Sequence, residues 1–171
     1  MDVTRQDVAL ADLHPFPRNY NRHSPAQIAK LAKSLSTFGQ IRSIAAWLNP
    51  DDALIYILAG HGVVEAARSI DMPTMRADVV SGCNFDTAMA YVVADNELAR
   101  QSDPDQAQLA AILEELQAKE PLLVEAAGYS AQELEQLLHS IQMPEFKEYD
   151  ESIADEVEWL ECPECGHKWP A

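Results

Sequence analysis

Gly60-His61-Gly62 is the motif of this 171-residue chain whose residue types and spacing best suit the binding of an anion. Apolar, β-prone residues 54–59 precede it. Apolar residues then recur at the spacing of one helical face: Val63, Ala66, Ala67 and Ile70. The pattern predicts a strand, a glycine turn and a helix, whose free N-terminal N–H groups and dipole favour a phosphate. An ordinary strand-to-helix connection without a ligand accounts for the same residues equally well.

A loop predicted over residues 13–23 holds further candidate ligands. Its two prolines forbid regular structure, and its polar side chains follow neither a helical nor a strand period. Arg18 and Arg22 carry forked donors that suit phosphate oxygens, while Asn19 and Asn21 can hydrogen-bond the edge of a base. Each of these residues, taken singly, is more typical of an ordinary protein surface.

Asp95 and Asn96 lie within a helix predicted over about residues 84–100. The spacing puts the Asp95 carboxylate on the helix face that should be apolar, so this carboxylate needs a partner. One candidate partner is an arginine of the loop, and the other is Mg²⁺ held with Asn96 or Glu97 beside bound phosphates. A salt bridge at the edge of the core fits these residues as well as the metal does.

Cys162 and Cys165 form the clearest metal motif of the chain. Two thiolates at this spacing, with Gly166 letting the backbone turn beneath them, are typical of a zinc knuckle. His167 is a third candidate ligand, whereas tetrahedral zinc takes four. The remaining ligation could come from a second copy of the chain, from water or from residues beyond 171. Three cysteines, two of them in this motif, suit a reducing compartment and favour a metal over a disulfide.

The net charge of −16 is distributed unevenly along the chain. Residues 1–100 hold 9 Lys and Arg against 11 Asp and Glu, whereas residues 101–171 hold 3 against 17. The acidic half repels a phosphate backbone, which argues against direct nucleic-acid binding there without a partner, although solubility alone also explains it. The N-terminus lacks the features of a signal peptide, and no apolar run is as long as a membrane span, so we expect a cytoplasmic protein without a membrane partner.

The elements that must position these residues follow from caps and periodicity. Residues 24–27, a serine cap followed by proline and then glutamine at the third position, predict a helix that ends at Gly39. Strands are predicted from β-prone runs at about residues 8–10, 44–48, 53–58 and 75–80. The result is a mixture of strands and helices joined by short links, which indicates an α+β fold.

Two acidic, amphipathic helices are predicted beyond residue 100. The first begins at Asp103-Pro104 and is stopped by Pro121, and the second begins at a capping box of Ser130 and Glu133. Their leucine faces either pack as a pair on the domain or contact another subunit, and packing within the chain is favoured. The predicted divisions are a domain over 1–100, an acidic helical extension over 101–142, a linker over 143–158 and the knuckle over 159–171.

Residues 8 to about 100 resemble the ParB N-terminal domain of the ParB/sulfiredoxin-like superfamily. The motifs that carry the resemblance are residues 13–19, the helix from Ser24 to Phe38-Gly39, residues 58–62 before Ala66-Ala67, and Asp95-Asn96. More narrowly, the chain is similar to stand-alone members found in phages and prophages, often near DNA methyltransferases, and those relatives also carry a Cys-Pro-x-Cys-Gly-His tail. The resemblance implies a ParB/sulfiredoxin-like mixed sheet with packed helices, here followed by a helical pair and a small zinc-ribbon-like tail.

The resemblance also implies a nucleotide pocket between the loop, the glycine turn and the Asp95 helix, as in partition ParB proteins, which bind CTP with magnesium. The chain departs from that family where Gly62 and Val63 stand in place of two phosphate-gripping arginines and Glu65 in place of a third. The later motif is also changed, because Arg100 lies one place late. Most of the arginines that contact phosphate in that family are therefore absent, so the sequence does not decide whether the chain binds a triphosphate. The basic DNA-reading helices of partition proteins are absent, so direct DNA binding is open as well.

The leading hypothesis is a nucleotide- or phosphate-binding accessory protein in phage or prophage DNA metabolism. Its predicted nucleotide-binding residues are Arg18, Asn19, Arg22, Gly60, His61, Gly62 and Asn96. Its predicted cofactors are zinc on Cys162, Cys165 and His167, and magnesium on Asp95 with CTP or ATP. The predicted partner is a second copy of the chain, joined through the zinc tail.

Two alternatives remain open, and with them whether the chain is an enzyme. One is a ParB-like nuclease or phosphohydrolase that uses His61 as its acid/base beside a metal. The other is a non-catalytic adaptor whose helices and tail dock a DNA methyltransferase or another DNA-associated protein.

Overall fold

The structure, a computed structural model, describes residues 1–141 and 159–170, and the chain divides into two units after Ile141. Within the described residues, the first unit holds a five-stranded mixed sheet and six α-helices, and the second holds a two-stranded hairpin. The α+β fold predicted from the sequence is confirmed. The linker predicted over 143–158 lies outside the described residues.

The sheet consists of β1 (Asp2–Ala9), β2 (Leu13–Pro15), β3 (Ile44–Leu48), β4 (Ile55–Ala59) and β5 (Thr74–Ser81). Its order is β1-β5-β3-β4-β2, in which β1–β5 and β3–β4 are antiparallel whereas β5–β3 and β4–β2 are parallel. The loop predicted over 13–23 begins instead with β2, an edge strand in which a proline is tolerated. β1 is longer than the strand predicted over 8–10. Its first six residues are all exposed and carry no apolar alternation, so pairing with β5 rather than a sequence pattern defines the strand.

Three helices pack on this sheet: α1 (Pro25–Phe38), α2 (His61–Ser69) and α3 (Phe85–Arg100). α1 begins and ends as predicted, because the Ser24 hydroxyl accepts a hydrogen bond from the Gln27 N–H at 3.1 Å and Gly39 follows with a φ of +68°. The side chain of Asn84 caps α3 in the same way, by accepting from the Thr87 N–H at 3.0 Å.

Alternate residues of β3 and β4 point to opposite faces of the sheet. Ala46 and Ile57 belong to a buried cluster with residues of α2, against which Leu35 of α1 packs. Trp47 and Leu58 belong to a second cluster with residues of α3. Burying each large side chain stabilises the fold by about 1.5–3 kcal/mol. The two clusters fix α1 and α3 on either side of the strand that leads into Gly60.

The chain continues as α4 (Gln106–Lys119), α5 (Pro121–Ala126) and α6 (Ala131–Ile141), which share a small core around Leu113, Val124 and Leu134. The sequence predicted a helical pair here, and this prediction is wrong by one helix. Pro121 ends α4 as expected, but it is also the first residue of α5, where the N–H that proline lacks would have been unpaired in any case.

The helical extension contacts α1 within the chain, as favoured above. Lys33 of α1 forms an ion pair of 3.2 Å with Glu125 of α5, and Lys30 pairs with Glu133 of α6. Glu133 also completes the predicted capping box, because its carboxylate accepts from the Ser130 N–H at 2.8 Å. No helix in residues 1–141 or 159–170 is long and apolar enough to cross a membrane.

Candidate functional site

The predicted strand, glycine turn and helix are present as β4, Gly60 and α2. Gly60 has a φ of +98°, and a Cβ at this position would lie 2.8 Å from Cγ2 of Ile44, so both the backbone conformation and the space require glycine. A Cβ at Gly62 would lie 3.0 Å from the ring of His23. Gly62 therefore gives room to the loop that packs on the first turn of α2.

His61 ties the glycine turn to the loop. Its Nε2 accepts a hydrogen bond from the Phe16 N–H at 3.2 Å, an arrangement that places the ring proton on Nδ1. Burial, with a smaller contribution from the charge of His23, lowers the pKa of His61 to about 4, so the ring is neutral at pH 7. In this arrangement the lone pair that a general base would use is already engaged. The predicted catalytic role of His61 stays a prediction.

The loop is fastened to α3 through side chains that were predicted as ligands and through their neighbours. The Asn19 amide bonds the backbone of Asn21 in both directions, at 3.2 Å each. Tyr20 donates to Glu97 at 3.0 Å, and Arg100 donates to the side chain of Asn21 at 2.7 Å. These contacts use the polar groups of the loop to hold it in place.

The remaining predicted ligands do not form one cluster: they are Arg18, Arg22, Asp95 and Asn96. Arg18 is exposed, with a guanidinium nitrogen 3.6 Å from Sδ of Met89, and Arg22 is exposed as well. Asn96 donates to the carbonyl of Val92, one turn earlier in its own helix, at 2.8 Å. Asp95 is exposed and lines a cavity together with Tyr91, one turn earlier in the same helix, so it shares the predicted helix face. Its predicted magnesium and arginine partners therefore both stay predictions.

That cavity has a volume of about 690 Å³ and lies between the end of α1, residues 39–45, the Gly60 turn, the end of β5 and α3. Among the predicted site residues, Gly60 and Asp95 line it. Its aromatic walls are Phe38 and Tyr91, which are 45% and 44% exposed. Burial, followed by the charge of Asp95, raises the pKa of Tyr91, so its hydroxyl stays protonated at neutral pH.

Sequence reasoning missed the segment of residues 40–43 that forms one wall of this cavity. The Gln40 carboxamide accepts from the Arg76 N–H and donates to the Arg76 carbonyl, both at 2.8 Å, which fastens the segment to β5. The signal was a glycine cap followed by a short polar connection before β3. The connection contains no motif of its own, so its residue pattern indicates only a link between α1 and β3.

The C-terminal hairpin pairs β6 (Trp159–Glu161) with β7 (Lys168–Pro170). Hydrogen bonds from the N–H groups of Glu164 and Cys165 lower the pKa of the Cys162 thiol. The ring of His167 stacks on the ring of Trp169, with 6.2 Å between the ring centroids. Within residues 1–141 and 159–170, no three metal-binding side chains form a cluster, so the predicted three-ligand zinc set is not assembled. Zinc stays a prediction.

No family model matches the chain. The ParB-like nuclease domain-containing protein YnaK of Escherichia coli (strain K12) is 37% identical to it over 75 residues, which are 43% of this chain and 78% of that protein. Among solved structures, the C-terminally truncated chromosome-partitioning protein ParB of Caulobacter crescentus complexed with CTP-gamma-S matches with a TM-score of 0.70. That match has 17% identity and covers 83% of this chain and 81% of the other. Sulfiredoxin of Arabidopsis thaliana matches at a TM-score of 0.44 with 17% identity, over 52% of this chain and 97% of its own.

Proposed function

The chain belongs to the ParB-like family, and from this premise we propose that it binds a nucleotide in the cavity beside Gly60. The observation that carries the proposal is the cavity itself. Its volume of about 690 Å³ lies within the range of pockets that enclose small ligands. Phe38 and Tyr91 offer aromatic faces on which a planar base can stack, and Ser34, Ser43 and Thr87 offer hydroxyl groups for its edge. The ParB of Caulobacter crescentus, which shares the fold, is complexed with CTP-gamma-S.

The proposed ligand site differs from the one predicted from the sequence, which included the loop of residues 13–23. The loop residues Arg18, Asn19 and Arg22 do not line the cavity, whereas residues 38–43 do. We propose that the loop instead holds the glycine turn in position through the hydrogen bond from the Phe16 N–H to His61. Asp95 lines the cavity, and we propose that it holds magnesium if the bound nucleotide brings the ion with it.

Isothermal titration with the four ribonucleotides, as mono- and triphosphates with magnesium, tests the proposal. At least one should bind, and Ser34→Phe, which fills the cavity from α1, should weaken binding at least tenfold. Ser36→Phe is the matched control, because Ser36 lies on the same helix, is exposed and does not line the cavity. Absence of heat with every nucleotide would remove the proposal. A loss of binding in Arg18→Ala but not in Ser34→Phe would return the ligand to the loop.

The biological role that we propose is an accessory one in phage or prophage DNA metabolism, in the cytoplasm. The helical extension and the tail would then contact a DNA methyltransferase or another DNA-associated protein. Pull-down from a host lysate should retain such a partner in Arg18→Ala and lose it when residues beyond 101 are deleted. Retention of the partner after that deletion would contradict the assignment of this surface.

We also propose that the tail binds zinc and joins two copies of the chain. Cys162 and Cys165 provide two thiolates, and the N–H groups directed at Cys162 stabilise its ionised form. Because the His167 ring stacks on Trp169, we expect the two remaining ligands to come from the cysteines of a second copy. Half a zinc ion per chain, with dimers that chelation dissociates, is the expected result. One zinc ion on a monomer would contradict the shared site.

A further inference from the structure

A polar groove adjoins the cavity at residues 41–43. It has a volume of about 450 Å³ and is lined by Arg5, Ile41, Arg42, Ser43, Arg76 and Asp78. Four of these residues, Ile41, Arg42, Ser43 and Asp78, also line the cavity. The two spaces are therefore immediate neighbours that share these four residues.

The groove differs in charge from the protein as a whole. It brings together three guanidinium groups and one carboxylate, whereas the chain carries a net charge of −16. The three arginines come from separate elements, because Arg5 lies on β1, Arg42 follows α1 and Arg76 lies on β5. A positive region on an acidic protein concentrates the attraction for an anion at that place.

Two of the arginines are held by the fold, and the third is available. Arg5 forms a two-point contact with Asp78 at 2.7 and 3.1 Å, which lowers the pKa of Asp78 and keeps it ionised. Arg76 donates to the carbonyls of Gln40 and Ile41, at 2.8 Å each. Within the part of the chain that the structure describes, the exposed Arg42 forms no ion pair or side-chain hydrogen bond. Its forked donors are free for phosphate oxygens.

We propose that this groove binds the phosphate of a nucleotide whose base occupies the adjoining cavity. The inference rests on the proposed function and adds the place and the number of phosphates. Three positive side chains and one negative side chain match the two negative charges of a phosphate monoester at neutral pH. Further phosphates would gain no matching cation among the residues that line the groove. The ligand class is therefore a nucleoside monophosphate.

The test compares a nucleoside with its mono- and triphosphate by isothermal titration, using the base that binds best. The monophosphate should bind at least tenfold more tightly than the nucleoside, and the triphosphate should gain no more than about threefold over the monophosphate. Arg42→Gln should remove the advantage of the monophosphate, and Arg5→Gln should reduce it. Lys119→Gln is the control, because it removes one exposed positive charge on α4, away from the groove.

The outcomes separate this inference from the function on which it rests. If the nucleoside and the monophosphate bind equally well, the groove is not a phosphate site, but the cavity can still bind a nucleotide. The same conclusion follows if Arg18→Gln, rather than Arg42→Gln, removes the advantage of the monophosphate. A triphosphate that binds more than tenfold more tightly than the monophosphate would overturn the ligand class. If none of the three compounds binds, both the proposed nucleotide site in the cavity and the proposed phosphate site in the groove are contradicted. Circular dichroism and thermal melting of each variant confirm that it is folded.

Discussion

Gly60 allows a test of the turn in which the two physical causes can be separated. Its φ of +98° is strained for any residue with a Cβ, and that Cβ would lie 2.8 Å from Cγ2 of Ile44. The left-handed conformation costs about 1–2 kcal/mol, and forcing an extra methyl group into packed surroundings costs about 1–3 kcal/mol. We therefore expect Gly60→Ala to lower the free energy of unfolding by about 2–5 kcal/mol.

Gly128 is the matched control for this substitution. Its φ of +94° is close to that of Gly60, but a Cβ there would have nothing within 4 Å. Gly128→Ala should therefore lose only the conformational part, about 1–2 kcal/mol. The difference between the two variants measures the steric contribution of Ile44.

The assay is urea unfolding of both variants, read by circular dichroism, with a third comparison in the Ile44→Ala background. Alanine at position 44 removes Cγ2 but keeps Cβ, which would lie 3.3 Å from the added methyl group, so the cost of Gly60→Ala should fall towards that of Gly128→Ala. Equal losses for Gly60→Ala and Gly128→Ala in the wild-type background would refute the reasoning. The turn would then tolerate a side chain, and its glycine would require another explanation.

Three further predictions follow from the same structure. Because the pKa of His61 is lowered from 6.5 to about 4, the unfolded chain binds a proton that the folded protein does not between these pH values. Stability should therefore fall as the pH drops through this window, by less than the roughly 3 kcal/mol of the full shift because the ring is partly exposed. His61→Gln, which keeps an acceptor for the Phe16 N–H but does not titrate, should remove this part of the pH dependence in urea titrations; an unchanged dependence would contradict the assignment. Asn84→Ala should lower the free energy of unfolding by about 1 kcal/mol, because the cap of α3 is lost. Asp86→Ala is the control and should change it by no more than about 0.3 kcal/mol. Equal effects of the two substitutions would argue against the cap. If the protein is a nuclease that uses His61, plasmid nicking should vanish in His61→Ala, whereas nicking that survives would exclude this role.

Most elements of the first unit could be predicted because their boundaries have local causes. The serine cap at residue 24, the glycine at 39 and the glycine turn at 60 act within a few residues, so the sequence alone indicates them. The capping box of Ser130 and Glu133 is of the same kind. The full length of β1 and the short strand β2 were missed because each depends on pairing with a distant strand, β5 or β4. The separate helix α5 was missed because one proline follows the end of α4 and begins α5.

The position of the cavity could not be predicted, because it depends on distances between elements. The sequence directed attention to Arg18 and Asn96, whose residue types suit a ligand, but the structure places the first beside Met89 and bonds the second to its own helix. Arg42 carries no motif, and it becomes a candidate only when Arg5 and Arg76 are seen on the strands beside it. A cluster assembled from three distant segments leaves no local pattern in the chain.

An NMR titration of the isotope-labelled protein with a mixture of the four nucleoside monophosphates tests the central claim most directly. The account predicts that the backbone amide signals of residues 38–43 and of Tyr91 shift on saturation, because these residues line the cavity. Shifts concentrated in residues 18–22 and His61 would instead place the ligand at the loop, and a spectrum without shifts would show that the cavity takes no nucleotide.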